Sequence, residues 1–130
     1  MIQESTKIKE FTDLISWQEA HKSVLFVYKI CKNFPKNETF GLTSQMQRSA
    51  ISITSNIAEG FGRQSLKEKI QFYYLAQGSL TELKNQLLIA KDVDYINSEI
   101  FDTISQQLNI AHKLLQGLIT KSKSFLNSKS

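Results

Sequence analysis

The chain has one cysteine, one proline and five glycines in 130 residues, and each scarcity removes a class of protein. Cys31 alone cannot build an internal disulfide framework. A single proline, Pro35, and so few glycines argue against a fold of many strands and tight turns and for long helices. No apolar run approaches the roughly 20 residues of a membrane span, and the N-terminal stretch lacks the basic start and apolar core of a secretion signal. Cytoplasmic localisation is the expectation. Hydrophobic residues make up 41% and charged residues 22%, values of an ordinary globular chain rather than a disordered one. The formal charge of +4 is mildly basic, which alone says little about a nucleic-acid partner.

What is present is helical periodicity. The spacing predicts four helices, at about 14–34, 44–61, 66–91 and 98–126, in one domain spanning residues 1–130. The first carries Leu14, Trp17, His21, Val24, Tyr28 and Cys31 at three-and-four spacing and ends before Pro35. The second starts near Thr43 or Ser44, both good N-caps, and is expected to stop where Gly60-Phe61-Gly62 offers a left-handed glycine end. The third opens on the capping box Ser65-Leu66-Lys67-Glu68 and runs through Ile70, Tyr73, Tyr74, Gln77, Leu80, Leu83, Leu87 and Ala90. Gly78 within it is expected to admit a close neighbour. The fourth carries Phe101, Ile104, Leu108, Ala111, Leu115, Leu118, Ser122 and Phe125. Helices of similar length joined by short loops predict an all-α, antiparallel up-down-up-down four-helix bundle.

The second helix is the most informative. An apolar stripe (Met46, Ala50, Ile53, Ile57) lies beside a polar one (Gln45, Ser49, Ser52, Asn56, Glu59, Arg63). Small hydroxyls and amides suit a face pressed against protein as well as a solvated one. Gln45, Arg48, Ser52, Ser55, Asn56 and Glu59 are therefore the candidate subunit interface, with Arg48 and Glu59 long enough to pair across it. Trp17, Phe61, Phe72, Tyr73 and Tyr74 are either anchors of that interface or core.

Catalytic chemistry finds no constellation. A di-metal bundle needs Glu-x-x-His, but Gln18 precedes His21 and Asn109 precedes His112 by three residues. His21 reads as a core or interface residue and His112 as peripheral. Cys31 on a buried stripe reads as an inert thiol. A HEPN-type ribonuclease places a His shortly after an Arg; the only arginines, Arg48 and Arg63, have none in reach. No enzyme, metal or cofactor is expected.

In an up-down bundle one end collects Lys7, Lys9, Arg63, Lys67, Lys69, Lys121, Lys123 and Lys129 against Glu4, Glu10, Asp13, Glu59 and Glu68. The opposite end is slightly acidic.

The residues 14–20 (LISWQEA), Phe34-Pro35, 40–45 (FGLTSQ), Arg48-Ser49-Ala50, Ser52-Ile53, 55–60 (SNIAEG), 76–80 (AQGSL) and Glu82-Leu83 resemble the bacterial four-helix-bundle family encoded by intervening sequences in 23S ribosomal RNA genes. Gln47 and Ser49 stand where that family often has a basic residue and an alanine. The resemblance implies a homopentameric barrel of bundles packed side by side, and a relation to the accessory proteins of diversity-generating retroelements, whose basic pentamers engage a reverse transcriptase and nucleic acid. The expected function is a non-enzymatic scaffold binding structured RNA or a ribonucleoprotein, with Lys7, Lys9, Arg63, Lys67, Lys69, Lys121 and Lys123 on phosphates. The alternative is a protein-interaction module that touches no nucleic acid.

Overall fold

Four helices carry most of the computed structural model, which describes residues 7–129 and side chains through residue 128. They are α1 (Ile15–Cys31), α2 (Leu42–Gly62), α3 (Leu66–Asp92) and α4 (Ser98–Lys129). Short 3₁₀ turns, Phe11–Asp13 and Lys36–Glu38, precede α1 and α2, and no strand occurs among the described residues. Glu4 and the side chain of Lys129, counted with the basic end above, lie outside the described residues. Close contacts join α1 to α2, α2 to α3, α3 to α4 and α4 to α1, as a four-membered bundle requires. Among the described residues no helix is long and apolar enough to cross a membrane.

The apolar stripe of α2 is fully interior: Met46, Ala50, Ile53 and Ile57 have no exposed surface. In α4 the expected stripe is buried at Ile104, Leu108, Ala111, Leu115 and Ser122, but Ile119 takes the interior place expected of Leu118, which lies at the margin, and Phe125 is exposed. A straight helix of 3.6 residues per turn drifts off a seven-residue repeat, and over 32 residues the drift moves the seam by one position.

The first helix corrects the expectation. Its interior face is Ser16, Ala20, Ser23, Val27 and Ile30, joined by Val24 and Cys31, whereas Tyr28 is exposed and Trp17 and His21 are half-buried. Both registers keep three-and-four spacing. Packing places the register that carries the small residues Ser16, Ala20 and Ser23 inside. Leu14 and Trp17 pack against the margin of the core, and Trp17 also stacks on His21 with ring centroids 4.6 Å apart.

The helix ends differ as well. α1 stops at Cys31, and Asn33 and Phe34 continue in tight turns that donate to Ile30 and Cys31 carbonyls. Helix α2 begins at Leu42, with Gly41 as N-cap and neither Thr43 nor Ser44 in that role. The missing cap comes from Glu38: its Oε1 accepts the Leu42 N–H at 3.0 Å while its Oε2 accepts the Tyr95 hydroxyl at 2.8 Å. One carboxylate thus ties the α1–α2 and α3–α4 connections together, and these bonds hold it below its ordinary range, the Leu42 amide first and Tyr95 second. Asp94 takes the left-handed conformation (φ 66°) after α3, and Tyr95 and Asp94 donate to the Ala90 and Lys91 carbonyls in a Schellman closure. Ser65 caps α3 as expected, accepting from the Glu68 amide at 3.1 Å.

No glycine among the described residues has positive φ, so Gly60-Phe61-Gly62 is not a left-handed helix end. Gly60 is buried inside α2 and serves close packing: a Cβ there would sit 2.7 Å from Tyr73 Cε1 and 3.0 Å from Phe72 Cβ. Gly78, expected to admit a neighbour, meets nothing within 4 Å. Gly78→Ala should therefore raise the thermal midpoint, by the helix-propensity gain of about 0.5–1 kcal/mol. A lowered midpoint accompanied by loss of an oligomer would instead identify this position as a subunit contact.

Candidate nucleic-acid interface

Four of the seven candidate cations lie over aromatic rings that the charge pattern did not reveal. Arg63, just past the end of α2, lies over the Phe72 ring of α3, 4.5 Å from its centroid. Lys69 donates to the Phe61 carbonyl at 2.5 Å and lies 5.3 Å over its ring. Lys123 of α4 sits 5.1 Å over Tyr74 of α3, and Lys121 lies 5.9 Å over Phe125. These contacts join the C-terminal parts of α2 and α4 to the start of α3. Phe11 shares a depression with Ser55, Ala58, Glu59, Gly62 and Arg63, while Lys7 and Lys9 are exposed on the segment before it. Apart from Lys69, the seven candidate cations are exposed.

Partial burial depresses the Lys69 ammonium below its ordinary range. Of the carboxylates at this end, Glu59 pairs with Arg63 at 3.1 Å. Asp13 is turned into its own chain, accepting the Lys9 and Glu10 amides at 3.0 Å. Those bonds, Glu10's first, hold it below its ordinary range. Exposed cations beside exposed or half-exposed rings form the combination on which single-stranded nucleic acid is held, phosphates by charge and bases by stacking.

The polar stripe of α2 divides. Ser49 is buried. Ser52 Oγ lies 2.8 Å from Ser79 Oγ of α3, and Asn56 Nδ2 donates to the Ser52 carbonyl and hydroxyl at 2.8 and 3.0 Å. These groups are satisfied within the chain and fix the register of α2 on α3. Gln45, Arg48, Ser55 and Glu59 remain exposed. Within the chain Glu59 is engaged by Arg63. Arg48 instead lines a depression of about 550 Å³ with Ser44, Gln45, Ser52 and Glu82. Phe40, 96% exposed, stands at its rim. Sequence reasoning assigned Phe40 no role, because an aromatic before a glycine reads equally as a loop residue or a buried plug. Among the aromatics expected as anchors, Tyr73 is core at 2% exposure, while Tyr74 is exposed.

His112 is not peripheral. Its Nδ1 lies 3.0 Å from Lys84 Nζ of α3, in a half-buried contact. An ammonium can only donate, so Nδ1 accepts and the ring proton sits on Nε2. Burial first and the Lys84 charge second push the imidazole below its ordinary value of 6.5. The unfolded chain binds this proton first as pH falls, so folding stability contributed above pH 6.5 is lost as pH drops through the lowered folded value. The thermal midpoint should fall as pH drops below about 6.5, and His112→Gln, whose amide oxygen still accepts from Lys84, should remove that step. No spacing signal could have found this pair, since its members lie 28 residues apart on different helices.

Cys31 is buried and its thiol is pushed up to about 11 by desolvation, consistent with an inert core position. Among the described residues no three His, Cys, Asp or Glu side chains are grouped to hold a metal ion.

Comparison with known proteins bears on the fold and the family. A crystal structure of a protein of unknown function from the S23 ribosomal protein family of Bacteroides thetaiotaomicron matches with a TM-score of 0.75 at 23% identity, over 81% of this chain and 98% of that one. At that identity the likeness speaks for the fold. No curated protein matches the sequence. The family described as "23S rRNA-intervening sequence protein" matches residues 12–117, a span from the turn before α1 into the second half of α4. The resembling motifs and most of the helical core fall within that span, and the chain belongs to the 23S rRNA-intervening sequence protein family.

Proposed function

We propose that the protein is a non-enzymatic, self-assembling scaffold of the cytoplasm that binds structured RNA, or a ribonucleoprotein, through its basic–aromatic end. The observation that carries this reading is the row of cation–ring pairs at that end, Arg63 with Phe72, Lys69 with Phe61, Lys123 with Tyr74 and Lys121 with Phe125. An exposed cation without a role needs no ring beside it. Cations interleaved with rings offer a strand both charge and stacking surface. In this reading the helices run up-down-up-down. Ser52 near Ser79 and Gly60 near Tyr73 support opposite directions for α2 and α3. Gln77 bonded to Gln116 at 2.7 Å and Lys84 to His112 support the same for α3 and α4.

Assembly in this reading is side by side, five bundles to a barrel, with exposed Gln45, Arg48, Ser55 and Glu59 of α2 facing a neighbour. Ser52 and Asn56 contribute by holding α2 in register. Parallel subunits would gather the basic ends into one ring and raise its field. Absolute mass by light scattering, with and without a structured RNA at low and moderate salt, tests both parts. A pentamer that gains mass with RNA and loses it as salt rises is the expected result; a monomer at micromolar concentration sinks the assembly, and RNA binding indifferent to salt sinks the electrostatic mechanism.

A protein-interaction module is the second reading, and Phe40 favours it. A fully exposed ring beside the Arg48–Glu82 depression has the form of an interface anchor. Phe40→Ala abolishing partner capture while charge reversal at the basic end leaves it intact would select this reading.

A further inference from the structure

The surface between α3 and α4 extends away from the basic end and carries two depressions whose linings include no carboxylate, with Asp92 and Asp102 adjoining Lys91 and Phe101 in the chain at its far end. Two depressions of about 370 and 200 Å³ abut along this groove and share Asn109. His112, Lys113 and Gln116 line the first; Lys84, Leu88, Phe101 and Ser105 line the second. At its far end Lys91 lies over the Phe101 ring, 4.8 Å from the centroid. At its near end Lys123 lies over Tyr74 in the same manner. Among the described residues the only ion pairs are Lys22–Glu19 and Arg63–Glu59, so the lysines of the groove have no carboxylate neutralising them. Lys84 is committed to His112, whose ring then presents only an N–H. The groove therefore offers donors and cations along its length and a ring beside a cation at each end.

We propose that this groove is the track of one single strand of nucleic acid, running from Lys123 and Tyr74 to Lys91 and Phe101. The inference rests on the RNA-binding reading and adds to it where the strand lies. Phosphates meet Lys91, Lys113 and Lys123, and bases stack near Phe101 and Tyr74. From residue 101 to 123 α4 rises about 33 Å at 1.5 Å per residue, which about ten stacked nucleotides span at about 3.4 Å each. Cations in a row with a ring at each end fit a single strand, or a loop of a structured RNA, whose bases are free to stack.

The test is anisotropy of a labelled single-stranded RNA decamer across a salt series. Lys91→Glu with Lys113→Glu is the groove variant, since Lys113 is exposed, Lys91 is half-buried and the Lys84–His112 contact is kept. Phe101→Leu removes stacking but keeps apolar packing. Circular dichroism checks that each remains folded. The groove variant should reduce affinity at least tenfold and flatten the slope of log K against log salt by about 1.4, near 0.7 for each lost phosphate. Phe101→Leu should weaken binding severalfold without changing the slope. If the groove variants bind as wild type while Lys67→Glu with Lys121→Glu does not, the track is wrong and the RNA reading stands. If the wild type binds no RNA, both fail. Polyglutamate competing as well as RNA, with Phe101→Leu without effect, would overturn the track in favour of an acidic protein partner.

Discussion

Gly60→Ala should destabilise the protein by about 1–2 kcal/mol, lowering the thermal midpoint by roughly 3–10 °C for a chain of this length. Two effects oppose each other. An alanine inside a helix gains about 0.5–1 kcal/mol over glycine, and Gly78→Ala should show that gain alone, because nothing lies within 4 Å of its added carbon. At Gly60 the added carbon meets the Tyr73 ring at 2.7 and 2.9 Å and Phe72 Cβ at 3.0 Å. Tyr73 is 2% exposed and has no free direction, and the Cβ of Phe72 moves only with the α3 backbone. Relief thus means shifting α3 away from α2, and overpacking of that kind costs about 1–3 kcal/mol. The clash outweighs the propensity gain, so the same substitution changes sign between two glycines of adjacent helices. Thermal melts of the two variants side by side measure the difference. Equal shifts would mean that α2 and α3 are not in the close contact described.

Reversing Lys67, Lys121 and Lys123 to glutamate together should weaken structured-RNA binding by about 10²–10³-fold near 0.1 M salt and very little near 1 M. A lysine on a phosphate displaces counterions with a slope near 0.9 per contact, so each is worth about eightfold at 0.1 M and nothing at 1 M. All three side chains are exposed. Lys121 and Lys123 lose ring contacts with Phe125 and Tyr74, each worth about 0.5–1 kcal/mol at an exposed site, too little to unfold the bundle. Convergence with wild type at high salt separates lost electrostatics from lost structure. Variants equally weak at every salt concentration would show that the effect is structural.

Much of the bundle was legible because helical periodicity is local. The stripe Met46, Ala50, Ile53 and Ile57 was readable from spacing, and so were Leu108, Ala111 and Leu115. The Ser65 cap was also readable, since its bond closes within three residues. The first helix was legible as a helix but not in its orientation. Leu14-Trp17-His21 and Ser16-Ala20-Ser23 have equally good spacing, and a preference for large apolar side chains chose the former. Packing buried the latter, and left Leu14 and Trp17 against the margin of the core. In the candidate site, the seven cations were visible as charges, whereas Phe72, Phe125 and Phe101 acquired meaning only when cations from other turns and helices came to lie over them.

Local pattern was enough for the class: four amphipathic helices, where they begin and end to within a few residues, which face of α2 is interior, and the family. Each of these depends on residues within a turn or two of one another, or on motifs in linear order. Tertiary structure decided what depends on residues far apart. It gave α2 its cap through Glu38 and tied that cap to Tyr95 across 57 residues. It made Gly60 a point of close approach rather than a helix end, and turned Ser52, Asn56 and Ser79 into an internal clasp. It joined Lys84 to His112 in a groove whose depressions no carboxylate lines. Those outcomes depend on the relative register of packed helices, a quantity fixed by the fit of whole faces, which no local spacing encodes.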